Sequence, residues 1–515
     1  MKNIDKQKML PSLVILLAII GICLYNLKFI QDSIGAVYDA CIANFGWFFI
    51  IADLCCLIFS LWIMLGPYKN IRLGGEDCKP AFSTASWAGM MFTTSCGAWL
   101  IVYGFLEPIY CSAQTPFQME PLSTQAYEFG QAYAHFHWGP NAWCIYVPIS
   151  IAIGYALYNR GGKSVSISGA CNAILNKKSG KIIGSIVDII AICGVVIAPI
   201  ISIGTGMPLL VALFENIFGI SEEYSSVLSI IILCIWICIF GISVYLGLNK
   251  GIKRLSNINV TIAFVLMVVV GLIAGVSYVM SAEINTIGVL ANNYLRMNTY
   301  TDAFGSGSFV RGWTVSYWAC YFVYMPLMGV FNAKISKGRR LKEIAFGQLV
   351  LCTLGCWIAM GTFGNLAMKY QVNGITDIAS YLETGNEVGA MMAILNSMPL
   401  SKIMMIVLLI ISFIFLATTM DSSAFAAAEM TAKMENDESL APRWLRLTWA
   451  VVAAALAFTL LRIGGVKAVR SLCYLMGLPL AIVSFLIIVS SIKMLRKDHA
   501  AECETDKPLT IFKKD

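Results

Sequence analysis

Twelve stretches of this chain are apolar over the length a helix needs to cross a bilayer, and no feature limits its fold more. A span takes about 20 residues. The stretches cover 10–30, 44–66, 85–111, 134–158, 183–213, 225–247, 256–281, 312–333, 344–368, 400–428, 444–462 and 470–493. Backbone groups inside lipid must be satisfied within the segment, so each stretch reads as a helix. Of the 515 residues, 58% are hydrophobic and 13% are charged. Soluble domains carry about 25% charged residues. The chain is therefore expected to be an all-α polytopic membrane protein, with about twelve transmembrane helices.

Charge orients it. Lys and Arg crowd one alternate set of loops: Lys69, Arg72 and Lys79; Arg160, Lys163, Lys177, Lys178 and Lys181; Lys250, Lys253 and Arg254; Lys334, Lys337, Arg339, Arg340 and Lys342; Lys433, Arg443 and Arg446. The other set carries fewer: Lys28, Arg296, Arg311, Lys369, Lys402, Arg462, Lys467 and Arg470. The positive-inside rule puts the first set and both termini in the cytoplasm, so the protein is expected to be a multi-pass protein of the cell (inner, plasma) membrane. The net charge of +7 lies in short loops and is not a nucleic-acid footprint. The 17 cysteines are scattered through apolar runs and read as reduced, buried thiols. The first run continues past Leu10 without an A-x-A site, so it reads as a retained helix. No nucleophile–base pair, metal-spaced cluster or phosphate loop appears, so the chain is not expected to be an enzyme or to hold a cofactor, sodium excepted. Two segments on the less basic side are long. Residues 282–311 suit a short surface helix, and 370–398 lack a long apolar run.

The eighth run and its exit read WTVSYWACYFVYMPLMGVFNAKISK (313–337). Trp313, Tyr317, Tyr321, Tyr324 and Met328 recur every three or four residues, which sets them on one helix face. Pro326, followed by Gly329, predicts a kink or unwound turn there. Such a ring face suits a cation without hydrogen-bond donors, at about 0.5–2 kcal/mol per ring. Tyrosine and tryptophan also fill interfacial belts and helix contacts. In the third run, Thr93-Thr94-Ser95-Cys96-Gly97 predicts a second break. Polar residues within spans are functional candidates by cost alone. They are Glu107, His135, His137, Asp53 and Asp421, the last flanked by Thr418, Thr419, Ser422 and Ser423. Hydroxyls around a carboxylate offer the oxygen ligands a hard cation takes, and they equally serve helix–helix contacts.

Several strings together resemble the betaine/choline/carnitine transporter (BCCT) family: TASW (84–87), YGFLEP (103–108), HWGPNAW (137–143), GLNKGIKRLSNIN (247–259), WTVSYWA (313–319) and ISKGRRLKE (335–343). The resemblance runs from the second span to the twelfth. It implies twelve helices, a five-plus-five inverted repeat (LeuT-like) after two extra N-terminal helices, and a homotrimer. The chain then divides into a tail and two peripheral helices (1–83), a first repeat (84–281), a connecting segment (282–311), a second repeat (312–495) and a cytoplasmic tail (496–515). The implied substrates carry a quaternary ammonium group: carnitine, betaine, choline or related compounds.

By position, the family's aromatic cage falls on Tyr110, Trp138, Cys320 and Tyr321, with Trp313 and Tyr324 along the same pathway. Where the family shows WAWW, this chain has Trp318-Ala319-Cys320-Tyr321, so one indole is a thiol and another a phenol. The Gly-rich break of sodium-coupled members is here Ser95-Cys96-Gly97-Ala98-Trp99, which is similar to the carnitine/butyrobetaine exchanger branch. Met328 points the same way, since a methionine there stands in for sodium in those exchangers. Thr418, Thr419 and Phe415 match a sodium site of coupled members, and Asn259 stands where the exchanger carries an arginine. The expectation is a secondary transporter working by alternating access, as an exchanger or with at most one sodium ion held near Thr93, Cys96, Phe415, Thr418 and Thr419. The alternative is the same architecture serving another small solute such as an amino acid. Trp138→Ala is expected to abolish ammonium binding, and Trp449→Ala to leave it intact.

Overall fold

The computed structural model describes residues 4–25, 27–162, 165–175, 179–246, 251–433 and 440–505. Lys163, Lys177, Lys178, Lys250 and residues 506–515 of the tail, which enter the charge and domain readings above, lie outside the described residues, as do the side chains of Lys28, Arg462, Lys467 and Arg470.

The helices, in order, begin with α1 Lys6–Tyr25, α2 Leu27–Leu65, α3 Thr84–Cys96, α4 Trp99–Ala113, α5 Thr124–His137, α6 Pro140–Cys144 and α7 Val147–Tyr158. Next come α8 Ile167–Ala170, α9 Ser179–Ile197, α10 Ile200–Phe218, α11 Ser225–Leu246, α12 Lys253–Ala274, α13 Val276–Thr299, α14 Ser308–Val310 and α15 Ser316–Ile335. The chain closes with α16 Leu341–Phe346, α17 Thr353–Ala359, α18 Asn365–Val372, α19 Ile378–Glu383, α20 Glu387–Ser397, α21 Ser401–Thr431 and α22 Arg443–Thr505. Among the described residues, nine helical stretches are long and apolar enough to cross a membrane, and ten if the bent pair α3–α4 counts as one span. They coincide with ten of the twelve expected runs. The runs 10–30 and 444–462 are helical in their described residues but not in that set, and the backbone of α22 continues through both the eleventh and the twelfth.

The lateral surface is apolar, as a lipid-facing surface must be. Ile182, Ile242, Phe264, Leu272 and Ile410 all point outward. The ring-rich helix is the opposite case, because every residue of α15 is buried. The helix continues through Pro326, so the unwound turn, one of the two alternatives read from the sequence, does not form. A prolyl ring costs a helix one donor and crowds one carbonyl. Inside a bundle, neighbouring helices absorb that cost, and here α9 offers Gly194, which has no side chain to oppose the Pro326 ring. The irregular turn lies earlier, in a π-helical stretch at Arg311–Val315.

The break expected in the third run is present. α3 ends at Cys96, Gly97 takes φ 53° and ψ −169°, and α4 leaves at 66° from Trp99. A left-handed φ favours glycine, and a Cβ at position 97 would also collide with the Ser202 hydroxyl. The HWGP string makes a second break, with Trp138 closing α5 and Pro140 opening α6. At the opposite end of α3 the strings TASW and ISKGRRLKE meet. Arg339 lies 4.7 Å over the Trp87 ring and donates to Phe82 O, and Trp87 Nε1 donates to Ser336 Oγ.

The long connecting segment is more structured than expected. α13 is a helix of 24 residues lying beside α5. Its Glu283 accepts from buried His135 (Nε2, 2.9 Å) and from the amide of Asn365 (2.8 Å). Residues 370–398 form α19 and α20, which cap the bundle at the same end.

Candidate functional site

Trp99 is the first residue of α4 and lies where the two breaks face α15. Its indole stacks on Tyr324 at 6.1 Å and 5° and on Tyr317 at 6.0 Å and 27°. Trp138 stands 4.6 Å away and Tyr321 5.7 Å. Tyr146 extends the group from Tyr321 at 6.4 Å. The three tyrosines share one face of α15 because three- and four-residue steps do so on any helix. Trp99 and Trp138 reach them only because α3–α4 and α5–α6 are each broken at that depth.

A single carboxylate orients these rings. Glu107, on α4 and fully buried, accepts from Trp138 Nε1 at 2.7 Å, from the Tyr317 hydroxyl at 2.5 Å and from His137 Nδ1 at 2.7 Å. His137 Nε2 in turn faces Thr314 Oγ1 at 3.0 Å. With Nδ1 carrying the proton toward the carboxylate, Nε2 accepts from the threonine. A buried carboxylate is tolerable only when its lone pairs are met, and here two of the three donors are the aromatic groups themselves. Tyr321 is held separately, donating to His137 O at 2.9 Å, and Tyr324 shares a hydrogen bond with Ser202 at 3.1 Å.

Next to the rings lies a cavity of about 190 Å³, lined by Trp99, Tyr103, Tyr110, Trp313, Tyr317 and Glu387 among others. A second, of about 470 Å³, shares Tyr110 and Glu387 and continues along α10 and α20. Glu387 Oε1 accepts from the Tyr103 hydroxyl at 3.1 Å and the Tyr110 hydroxyl at 3.3 Å. Tyr110 and Tyr103 lie 5.1 and 6.4 Å from the Trp313 ring. The inner stretch of the route, next to the central rings, is thus walled by aromatic side chains.

The residues named from the sequence fall into three places. Trp138, Tyr317, Tyr321 and Tyr324 join the central cluster, and Tyr110 and Trp313 line the cavities beside it. Cys320 and Met328 are fully buried on α15 and line neither cavity. The sodium candidates lie on α3 and α21, which pack side by side. Thr418 and Thr419 both donate to Phe415 O at 3.0 Å, and Thr419 Oγ1 lies beside the break at Gly97. Thr93 instead bonds Ser256 Oγ at 2.9 Å, and Cys96 touches Cys356, sulfur to sulfur, at 3.7 Å. Asp421 is fully buried, with the Ser243 hydroxyl facing its carboxylate. Asp53 accepts from Asn141, a packing role between α2 and the HWGPNAW string.

Trp99, Tyr103, Tyr146 and Glu387 were not foreseen. An indole two residues beyond a glycine break, with Tyr103 one turn on, was a readable signal for the first two. Nothing in the sequence around Glu387 sets it apart, since it opens a short helix in a polar segment.

The chain is similar to known proteins in two comparisons. A sodium-coupled sialic acid symporter, solved in a substrate-bound outward-open state, is similar at 13% identity with a TM-score of 0.47, covering 90% of this chain and 87% of that one. The family model described as "BCCT, betaine/carnitine/choline family transporter" matches residues 8–500. That match takes in every helix of the ring cluster and both cavities, and the chain belongs to the betaine/carnitine/choline transporter family.

Proposed function

We propose that this transporter carries quaternary ammonium compounds, such as carnitine, betaine, choline or relatives, by alternating access. The observation that carries the reading is Trp99 stacked between Tyr317 and Tyr324 with Trp138 and Tyr321 around it, at a helix break and next to a cavity. Aromatic faces hold a permanently methylated nitrogen by cation–π attraction without asking it for a hydrogen bond. Residues 84–281 and 312–495 act as the two repeats that rock around the rings. The α20 end opens outward and both termini are cytoplasmic, in the cell membrane, with the protein working as a homotrimer.

Coupling is exchange, or symport with at most one sodium ion. Of the sodium candidates, the Phe415 carbonyl and the Thr419 hydroxyl at the Gly97 break offer hard oxygen atoms in one place. Cys96 offers sulfur, which suits softer metals.

The test is a ligand-induced thermal shift across choline, glycine betaine, carnitine, γ-butyrobetaine and amino acids. Trimethylammonium compounds should raise Tm and amino acids should not; the reverse pattern would overturn the reading. Trp138→Ala should remove the shift. Trp449 is a poor control, because it is fully buried with its Nε1 bonded to Thr431 Oγ1. Emptying such a site costs about 3–5 kcal/mol of stability. Trp444, 47% exposed, is the control whose replacement by alanine should leave the shift intact.

A further inference from the structure

A carboxylate at membrane depth is a functional candidate by its cost alone. Glu107 is fully buried and lines neither cavity, so a substrate there meets the rings and not the carboxylate. Its two oxygens divide their work. Oε2 accepts from Trp138 Nε1 at 2.7 Å and from the Tyr317 hydroxyl at 2.5 Å. Oε1 accepts from His137 Nδ1 at 2.7 Å. Both ring donors therefore end on one oxygen.

Among the described residues, His137 is the only basic side chain within ion-pair distance of Glu107. With a single proton, on Nδ1, that imidazole is neutral. One negative charge thus stands behind the ring wall. An N–H or O–H donated to a carboxylate makes a charge-assisted bond, and in a dry interior such bonds polarise the groups they join. The indole and the phenol polarised this way gain electron density on the faces that attract a cation. Trp138 and Tyr317 both border Trp99, at 4.6 and 6.0 Å, and Tyr317 lines the inner cavity. The surface offered to the ammonium is therefore hydrogen-bonded to the charge behind it.

We infer that Glu107 is the counter-charge of the ammonium site, acting on the substrate through the Trp138 and Tyr317 rings and not by contact. The inference rests on the quaternary ammonium reading above. It adds a second task to holding the rings in place. Orientation needs only an acceptor, whereas a counter-charge needs an ion. The division between the two oxygens lets these tasks be separated. In Glu107→Gln, the carbonyl oxygen can stand where Oε2 stands and accept from both rings. The amide nitrogen then faces His137 Nδ1, which accepts once its proton has moved to Nε2. All three bonds at position 107 are kept, and the charge is gone.

The experiment measures, by calorimetry on the full-length protein in detergent, the affinity of a trimethylammonium compound and of its carbon isostere, in which a tert-butyl group replaces the charged head. The pair is choline and dimethylbutanol, or glycine betaine and its tert-butyl counterpart where betaine binds more tightly. In the wild type the ammonium compound should bind about tenfold or more tightly than the isostere, the size of effect one charge exerts at a partly screened site. Glu107→Gln should weaken the ammonium compound about tenfold and change the isostere less than about twofold, so the ratio collapses. Tyr317→Phe keeps the ring but cuts one of its two links to the carboxylate, and should lower the ratio about threefold. If Glu107 only oriented the rings, each variant would move both ligands together. A ratio that stays at its wild-type value would therefore overturn the inference and leave the ammonium reading in place. Wild-type protein that binds no trimethylammonium compound, or binds the isostere as tightly, would remove the ammonium reading and the inference together. Should the Gln variant not fold, the Phe variant decides by the same ratio.

Discussion

At the residue scale, the carboxylate of Glu107 does what the rings cannot do for one another. Stacking sets their separation, but an indole or phenol is free to turn about its own axis until a directional bond stops it. Glu107 stops two of them and His137 as well. Glu107→Ala would leave the Trp138 N–H and the Tyr317 hydroxyl buried without an acceptor, at about 1–3 kcal/mol each. The expected outcome is a lower melting temperature together with at least about a tenfold loss of ammonium affinity, measured on detergent-solubilised protein. Unchanged affinity would show that the rings orient themselves. The sequence marked Glu107 and His137 as costly residues in apolar runs. It did not reveal that they touch, because residues 30 positions apart meet only when α4 and α5 pack side by side.

At the scale of elements, two kinds of helix interruption behave differently. Gly97 and the Trp138–Gly139 turn break their helices, whereas Pro326 does not. Proline constrains one donor and one φ, and a fully buried helix with a glycine opposite can accommodate both. α13 is a further element whose docking depends on a titratable group. Burial alone would raise the Glu283 carboxyl from its ordinary 4.5, but the His135 hydrogen bond and charge, with the amides of Gln131 and Asn365, hold it lower. A group with a depressed folded value contributes stability above its unfolded value and loses it as pH falls through the folded one. The docking should therefore weaken as pH drops below 4.5. Glu283→Gln should cost about 1–3 kcal/mol near neutral pH and flatten the acid dependence. Thermal denaturation as a function of pH would check both, and an equally steep acid limb in the variant would assign that limb to other groups.

At the scale of the whole molecule, the rings lie where α15 meets the two broken helices. α15 is packed among α7, α9, α21 and α22 and turns its rings to the broken α3–α4 and α5–α6, and under the proposed two-repeat division a rocking of one half against the other would open the rings to one side at a time. Whether that motion is tied to sodium depends on the far side of Gly97, where the Phe415 carbonyl and Thr419 lie. Uptake of choline or betaine into proteoliposomes, with and without an inward sodium gradient, separates the cases. A several-fold stimulation by the gradient that Thr419→Ala removes is the outcome for one coupled ion. Equal rates in both conditions, with acceleration by substrate loaded inside, is the outcome for exchange.

Apolar run length and ring spacing carried much of this fold in the sequence alone. A backbone in lipid must close its own hydrogen bonds, so runs such as 225–247 and 400–428 had to be helices, and rings at three- and four-residue steps had to share a face. What the sequence could not carry was which faces meet. Trp99 at the centre of the cluster, Glu387 at its entrance and an uninterrupted helix through Pro326 all depend on contacts between residues far apart in the chain. Those contacts are made by packing, and packing is decided only when the helices are assembled.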